Sequence, residues 1–263
     1  MSAHLSLEHP VALPLADRSA PLEIHCGAYL ARMAESERDR EAIYRLRFEV
    51  FNLELGEGLA SAFSSGCDTD EFDLVCDHLL VEDQPSGRVV GTYRLQTGQM
   101  AARNRGYYSA REFDFAPYEA LRGQLIELGR ACIEREHRNF EVLTLLWRGI
   151  ARYALGSDAR YLVGCSSLTS QDPAVGWGTY RKLKAFLADA ALQTHPLPDF
   201  MLPDAEPSAR DCSPPRLLRA YLALGAQICG PPAIDREFKT IDFLTVLDLS
   251  RLSASARERF LGG

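Results

Sequence analysis

The segment QLIELGRACIERE, residues 124–136, sets the strongest constraint on what this chain can fold into. Its run of apolar residues reads as a buried strand over 124–134, yet it carries two charges, Glu127 and Arg130. Successive side chains on a strand point to opposite faces, so residues i and i+3 share one cleft only where the ladder holds an extra residue. Gly129 is the expected place for such a bulge, because glycine accepts the backbone conformations it needs. Without a bulge, one charge faces solvent and the other sits in a structural ion pair, since buried charge without a partner is rare. With a bulge, a base and a fixed cation enter the same cleft.

The rest of the chain supplies elements to pack around that strand. A short strand is expected over 23–30. A helix should start at Ser36, a capping residue followed by Ile43, Leu46, Val50 and Phe51 at helical intervals, and stop in the glycine-bearing stretch ELGEG. HLLVED and RVVGTYRL, joined through a Pro/Gly turn, predict a hairpin. Residues 107–119 are aromatic and irregular. A helix follows over 139–155, then a strand in YLVGCSSL, a helix in TYRKLKAFLADAAL, a proline-rich loop over 195–215, a helix over 215–230 and a final strand in FKTIDFLTVLDL. Alternating strands and helices predict an α/β sheet covered by helices.

A formal charge of −7 argues against a nucleic-acid partner, which would call for a basic footprint. The seven cysteines form no CxxC pair and several lie in apolar runs, as expected in a reducing compartment, so a cytoplasmic location is predicted. No Cys/His spacing suits zinc and no metal site is expected. Residues 1–22 contain Pro10, Pro14 and Pro21 without sustained periodicity, and predict a flexible leader before a single domain over 23–263.

Five short signals can be read as a set: Arg47 with Phe51, Asp70 with Asp73, Arg94 in VVGTYRL, Glu127 with Arg130, and Arg138 opening the long helix. Each alone fits an ordinary solvated or structural charge. In this order and spacing they resemble the acyl-homoserine-lactone synthases and, more closely, the ornithine N-acyltransferases of ornithine-lipid synthesis, both branches of the GNAT acyltransferase fold. The resemblance covers residues 40–250 and rests on YRLRFEVF, FDLVCDHLLV, VVGTYRL, GYYSAREFD, IELGRACI, LLWRGIARY and FKTIDFLTVLD.

The resemblance implies a GNAT-like α/β fold: a mixed, splayed central sheet with helices on both faces and a bulged strand near 125–133. It implies catalytic roles for Glu127 and Arg130, substrate-binding roles for Arg47, Phe51, Asp70, Asp73 and Arg94, and cofactor contacts at Arg138 and Asn139. In GNAT acetyltransferases a Q/R-x-x-G-x-G/A loop cradles the coenzyme A pyrophosphate. Here the matching stretch runs from Arg138 to Leu143, and Glu141 and Leu143 replace the glycine positions. That departure favours acyl-phosphopantetheine on acyl carrier protein as donor, with no permanently bound cofactor.

The implied reaction moves a 3-hydroxyacyl group from acyl carrier protein to the α-amine of L-ornithine, the first step of ornithine-lipid synthesis. Glu127 would take the amine proton, with Arg130 orienting it. Asp70 or Asp73 would pair with the side-chain amine, and Arg94 or Arg130 with the α-carboxylate. The acyl chain needs an apolar slot, for which Tyr107, Tyr108, Phe113, Phe115 and Trp147 are candidates. Arg135, Arg138, Arg148, Arg181 and Lys182 are candidates for carrier-protein docking, and a lipid product suggests peripheral membrane contact. Two other readings compete: acylation of a different amine (glycine, tyrosine or a homoserine-lactone type), and a non-enzymatic, haemolysin-like membrane-active protein. The second lacks support from any spanning segment or long basic amphipathic helix.

Overall fold

The computed structural model describes residues 22–208 and 212–261, so the expected leader lies outside the described residues except for Leu22. In chain order the elements are β1 (Glu23–Cys26), β2 (Tyr29–Met33), α1 (Glu37–Arg47), α2 (Ala62–Ser65), β3 (Asp77–Asp83), β4 (Arg88–Thr97), α3 (Gly98–Arg103), β5 (Leu125–Ile133), α4 (Phe140–Gly156), β6 (Tyr161–Leu168), α5 (Pro173–Leu183), α6 (Arg216–Ala223), β7 (Gln227–Ile228), β8 (Ala233–Asp235), β9 (Thr240–Asp248) and α7 (Ala254–Leu261). The described strands form one nine-stranded sheet in the order β1, β2, β3, β4, β5, β6, β9, β7, with β8 also paired to β9. All neighbours are antiparallel except β5 and β6, which run parallel and pair only over residues 125–127 and 161–163. Past Glu127 they part, and the sheet is splayed at its centre.

Helices cover both faces. Ser36 caps α1 in a reciprocal box with Asp39, each accepting from the other's backbone N–H at 3.1 Å. The helix then widens into a π-helical turn at Phe48–Glu54, an irregularity that recurs at functional sites. On this face Leu46, Val50 and Phe51 pack with Cys132 and Phe238. On the other face Asn139 caps α4, and Val142, Leu145, Leu146 and Ile150 bury a helical stripe against Leu79, Val81 and Leu95 of the sheet.

The bulge required by Glu127 and Arg130 is present. Arg94 pairs with Gly129 and Thr92 with Cys132, so Tyr93 alone faces both Arg130 and Ala131. The extra residue inverts the strand's phase: Ile126 and Leu128 pack toward α4 before it, Ala131 and Ile133 after it, while Cys132 joins the α1 face. The position differs by one from the expectation. Gly129 keeps regular register, and it is Arg130 that takes the left-handed conformation, with φ 48°.

Other departures have local causes. The strand expected over 23–30 is a hairpin turning at Gly27, whose φ is 57°. The helix expected over 179–192 begins earlier, because Asp172 caps it ahead of Pro173, and ends at Leu183. The helix expected over 215–230 stops at Ala223 before Gly225, at φ 99°, and the chain returns as β7. Strand β8 and helix α7 had no sequence signal. Among the described residues, no helix is long and apolar enough to cross a membrane.

Candidate active site

Three arginines from three elements converge on one acidic segment. Arg47, fully buried at the end of α1, donates from Nη1 to Asp73 Oδ1 at 2.7 Å and from Nη2 to His78 Nδ1 at 3.1 Å. His78 Nε2 in turn donates to the Asp73 carbonyl at 3.2 Å, an arrangement that needs the neutral ring. Burial, followed by the Arg47 charge, pulls the His78 pKa down to about 4. Arg94 on β4 bridges Asp70 at 2.7 Å and Asp73 at 3.2 Å. Arg130 donates to Asp70 Oδ2 at 2.9 Å and lies 3.5 Å from Asp68. The 3₁₀ turn at Glu71–Leu74 presents the two central aspartates, with Asp70 Oδ1 accepting from the Phe72 N–H and Asp73 Oδ2 from the Asp70 N–H, each at 2.8 Å. Burial opposes ionisation of Asp70 and Asp73, but the arginines outweigh it and hold both carboxyls below the usual range.

Glu127 stands apart from that network. It is buried on β5, and its carboxylate accepts from the Ser109 N–H at 2.7 Å, the Tyr108 N–H at 2.8 Å and Gln96 Nε2 at 2.6 Å. Three of the roughly four acceptor positions of a carboxylate are therefore used. Tyr108 joins the two halves of the site: its backbone holds Glu127, while its ring lies 5.0 Å from the Arg94 guanidinium and 5.2 Å from that of Arg130. Phe238 supports Arg130 from 4.1 Å.

Where β5 and β6 part, a cavity of about 320 Å³ opens. Its charged lining is Glu57, Arg94, Glu127, Arg130, Asp235 and Asp242. Toward the Leu162–Leu247 pair of β6 and β9 it becomes apolar, with Trp147 of α4 and Tyr221 of α6 in the wall. The π-helical turn contributes Phe51, and the half-exposed Leu55 and Leu217 also border the cavity.

Of the residues singled out from sequence, Phe51, Arg94, Glu127 and Arg130 meet at this cavity, and Glu127 and Arg130 share it as the bulge demands. Arg47, Asp70 and Asp73 lie behind its wall as the ion-pair scaffold. Arg130 is placed by Asp68, Asp70 and two aromatic rings, and the donors to Glu127 are Gln96, Tyr108 and Ser109. Arg138 and Asn139 are outside the cavity lining: Arg138 forms a two-pronged pair with Glu54 at 2.6 and 2.7 Å, and Asn139 Oδ1 accepts from the Val142 N–H at 2.9 Å. Among the aromatic candidates, Tyr108 and Trp147 line the cavity. Tyr107, Phe113 and Phe115 instead build a separate core with Tyr118. Gln96, Glu57, Asp235 and Asp242 had no sequence signal, because they come from four segments brought together only by the sheet.

A mixed sheet whose central parallel strands part beside a bulge, with a buried carboxylate at the opening, defines an acyltransferase of the GNAT type. Residues 46–148 match the acetyltransferase (GNAT) domain family. The fold is shared with the acyl-homoserine-lactone synthase LasI, at TM-score 0.52 and 15% identity over 89% of this chain and 95% of that one. It is shared equally with FeeM, an N-acyl amino acid synthase from uncultured soil microbes, at TM-score 0.52 and 14% identity over 89% and 94% of the two chains. The L-ornithine N(alpha)-acyltransferase of Agrobacterium fabrum is 32% identical over 243 residues, covering 86% of this chain and 83% of that protein. The protein of the same name from Rhizobium meliloti is 31% identical over 262 residues, covering 92% and 86%. The chain belongs to the L-ornithine N(alpha)-acyltransferase family.

Proposed function

We propose that the protein transfers a 3-hydroxyacyl group from acyl carrier protein to the α-amine of L-ornithine, opening ornithine-lipid synthesis. The observation that carries this reading is the placement of Glu127, a buried carboxylate beside the bulge of β5, on the wall of a cavity that joins a charged end to an apolar one. The α-ammonium group gives a proton to Glu127, directly or through a water, because an amine with a pKa near 8 is largely unreactive at neutral pH. The freed amine attacks the thioester carbonyl. The carbon–nitrogen bond forms, the carbon–sulfur bond breaks, and the second amine proton leaves with the phosphopantetheine thiol. The bulge takes backbone at Arg130 and Ala131 out of the ladder, and we assign its N–H groups to the developing oxyanion.

Carrier protein, rather than free coenzyme A, suits the start of α4. A helix N-terminus binds phosphate through open N–H groups, but here Asn139 caps it and Glu141 occupies the first turn. Arg138 and Arg135 already face Glu54. The apolar end of the cavity takes the acyl chain, and release of a lipid product would bring the protein into peripheral contact with a membrane. The test is to incubate the protein with 3-hydroxyacyl carrier protein and a panel of amino acids and to identify N-acyl products by mass spectrometry. N-acylornithine is the expected product. No product with any amine would sink the reading, and product with glycine but not ornithine would move the acceptor.

A further inference from the structure

Asp70 and Asp73, the carboxylates expected to hold the acceptor's second amine, are engaged by Arg47, Arg94 and Arg130. A different group of acids lines the cavity. We propose that Asp242, with Glu57 and Asp235 beside it and Glu112 behind it, is the subsite for the side-chain ammonium of a diamino acid, which makes the acceptor's second charge a selected feature. This assignment rests on the acyl-transfer reading of the same cavity.

Geometry carries it first. Asp242, the third residue of β9, lies opposite Ser167 of β6, four ladder positions beyond the Val163 level at which Glu127 pairs, so the acids lie past the bulge, on the side away from the Leu162–Leu247 end. Cys165 lies between the two sets of charge: burial, then Glu112 and Asp242, and finally Glu127, all push its thiol pKa up. The ligand atoms of Glu112, Cys165 and Asp242 fall within 4.8 Å of one another.

Unmet hydrogen-bonding capacity carries it second. Asp242 Oδ1 and Glu112 Oε2 have no hydrogen-bond partner, although the two residues are only 4% and 2% exposed. Buried oxygens of this kind are costly to leave unpaired, and an ammonium group with three donors would satisfy them. Among the described residues that line the cavity, the two arginines hydrogen-bond to Asp70 behind them and neither donates to Asp242 or Glu112.

The protonation of the group agrees. Burial and the charges of Asp242 and Asp235 raise the Glu112 pKa well above its ordinary value. Burial and Asp235 lift Asp242 to about 6. Burial and Asp242 also raise Glu57, whose Oε1 accepts from the Thr169 hydroxyl. Asp235 is anchored by accepting from the Glu237 and Phe238 N–H groups at 2.8 and 2.9 Å. An arriving ammonium group favours the ionised form of Asp242 and so opposes the rise in its pKa.

The test compares ornithine with norvaline, which has the same carbon skeleton without the side-chain amine, using a 3-hydroxyacyl carrier-protein donor. Wild-type protein should prefer ornithine, and in Asp242→Asn the ratio of the two kcat/KM values should fall at least about 10-fold. Glu57→Gln should lower the same ratio, and serves if Asp242→Asn does not fold. Independently of either variant, calorimetric titration of the wild-type protein in buffers of different ionisation enthalpy should show more proton release near pH 6 with ornithine than with norvaline, and equal release would count against the subsite. Equal efficiency with both amino acids in the wild type, or an unchanged ratio in the folded variants, would overturn the ammonium subsite alone. No acylated product from either amino acid would overturn the acyl-transfer reading.

Discussion

Glu127 and Asp242 are both buried carboxylates on the same cavity, and their surroundings give them different work. Among the described residues Glu127 is held by three donors and no arginine, so glutamine in its place keeps the volume, gives up at least one accepted hydrogen bond and removes the proton acceptor. Glu127→Gln should lower turnover by at least about 100-fold with unchanged circular dichroism, and near-normal activity would exclude it as the base. Asp242 has the opposite energetics. Its folded pKa, about 6, is raised above the ordinary 3.8 by burial and Asp235, so its contribution to stability is full below pH 3.8 and lost as pH rises through 6. At pH 8 the ionised form therefore weakens the fold by roughly 2 to 3 kcal/mol. Urea denaturation should find Asp242→Asn more stable than wild type at pH 8, with the gap closing by pH 4. A gap independent of pH would contradict the assignment. Of these residues, Glu127 was legible because a charge inside an apolar strand is conspicuous. Asp242 was hidden in FKTIDFLTVLD, where a single acid reads equally well as a solvent-facing strand residue.

The elements that build the site depend on two backbone features, the bulge of β5 and the parting of β5 from β6. The bulge was deducible from the spacing of Glu127 and Arg130, but its position was not. Glycine is the ordinary choice for a left-handed residue, and here Arg130 adopts φ 48° while Asp70 and the Phe238 ring hold its side chain. Gly164 of β6 limits the parting at its start, because an added Cβ there would overlap the Leu128 carbonyl oxygen of β5. Gly164→Ala must push the strands apart just where the cavity starts. It should cost more than about 2 kcal/mol in chemical denaturation and reduce acyl transfer further than the lost stability explains; wild-type stability would show that β5 can move aside freely. Strands β3 to β6 and β9 were legible because each is a bounded apolar run. The lengths of α5 and α6 were not, since Asp172 and Gly225 set their ends against an apolar pattern that continues past them.

Across the molecule, the ion-pair scaffold and the cavity walls are assembled from segments far apart in the chain, and this limits what any local pattern reveals. The scaffold of Arg47, Asp70, Asp73 and Arg94 comes from the first 100 residues, in or beside three of the seven segments that carry the family resemblance. The acidic wall comes from Glu57 just after the π-helical turn, β8 and β9, and the apolar wall from α4, β6, α6 and β9. Trp147 stands at the apolar end, in contact with Tyr221 at 5.3 Å and Phe260 at 6.0 Å between ring centroids. If this end receives the acyl chain, Trp147 sets how much chain fits, because each methylene accommodated contributes about 0.8 kcal/mol. Trp147→Leu shortens the side chain without introducing a polar group, and should move the preferred donor to a longer chain, about 4-fold in relative kcat/KM for each methylene newly buried. Competition between carrier-protein donors of graded chain length, with ornithine as the common acceptor, reads this directly. A uniform loss over all lengths would place the chain elsewhere and leave Trp147 as a packing residue between α4, α6 and α7.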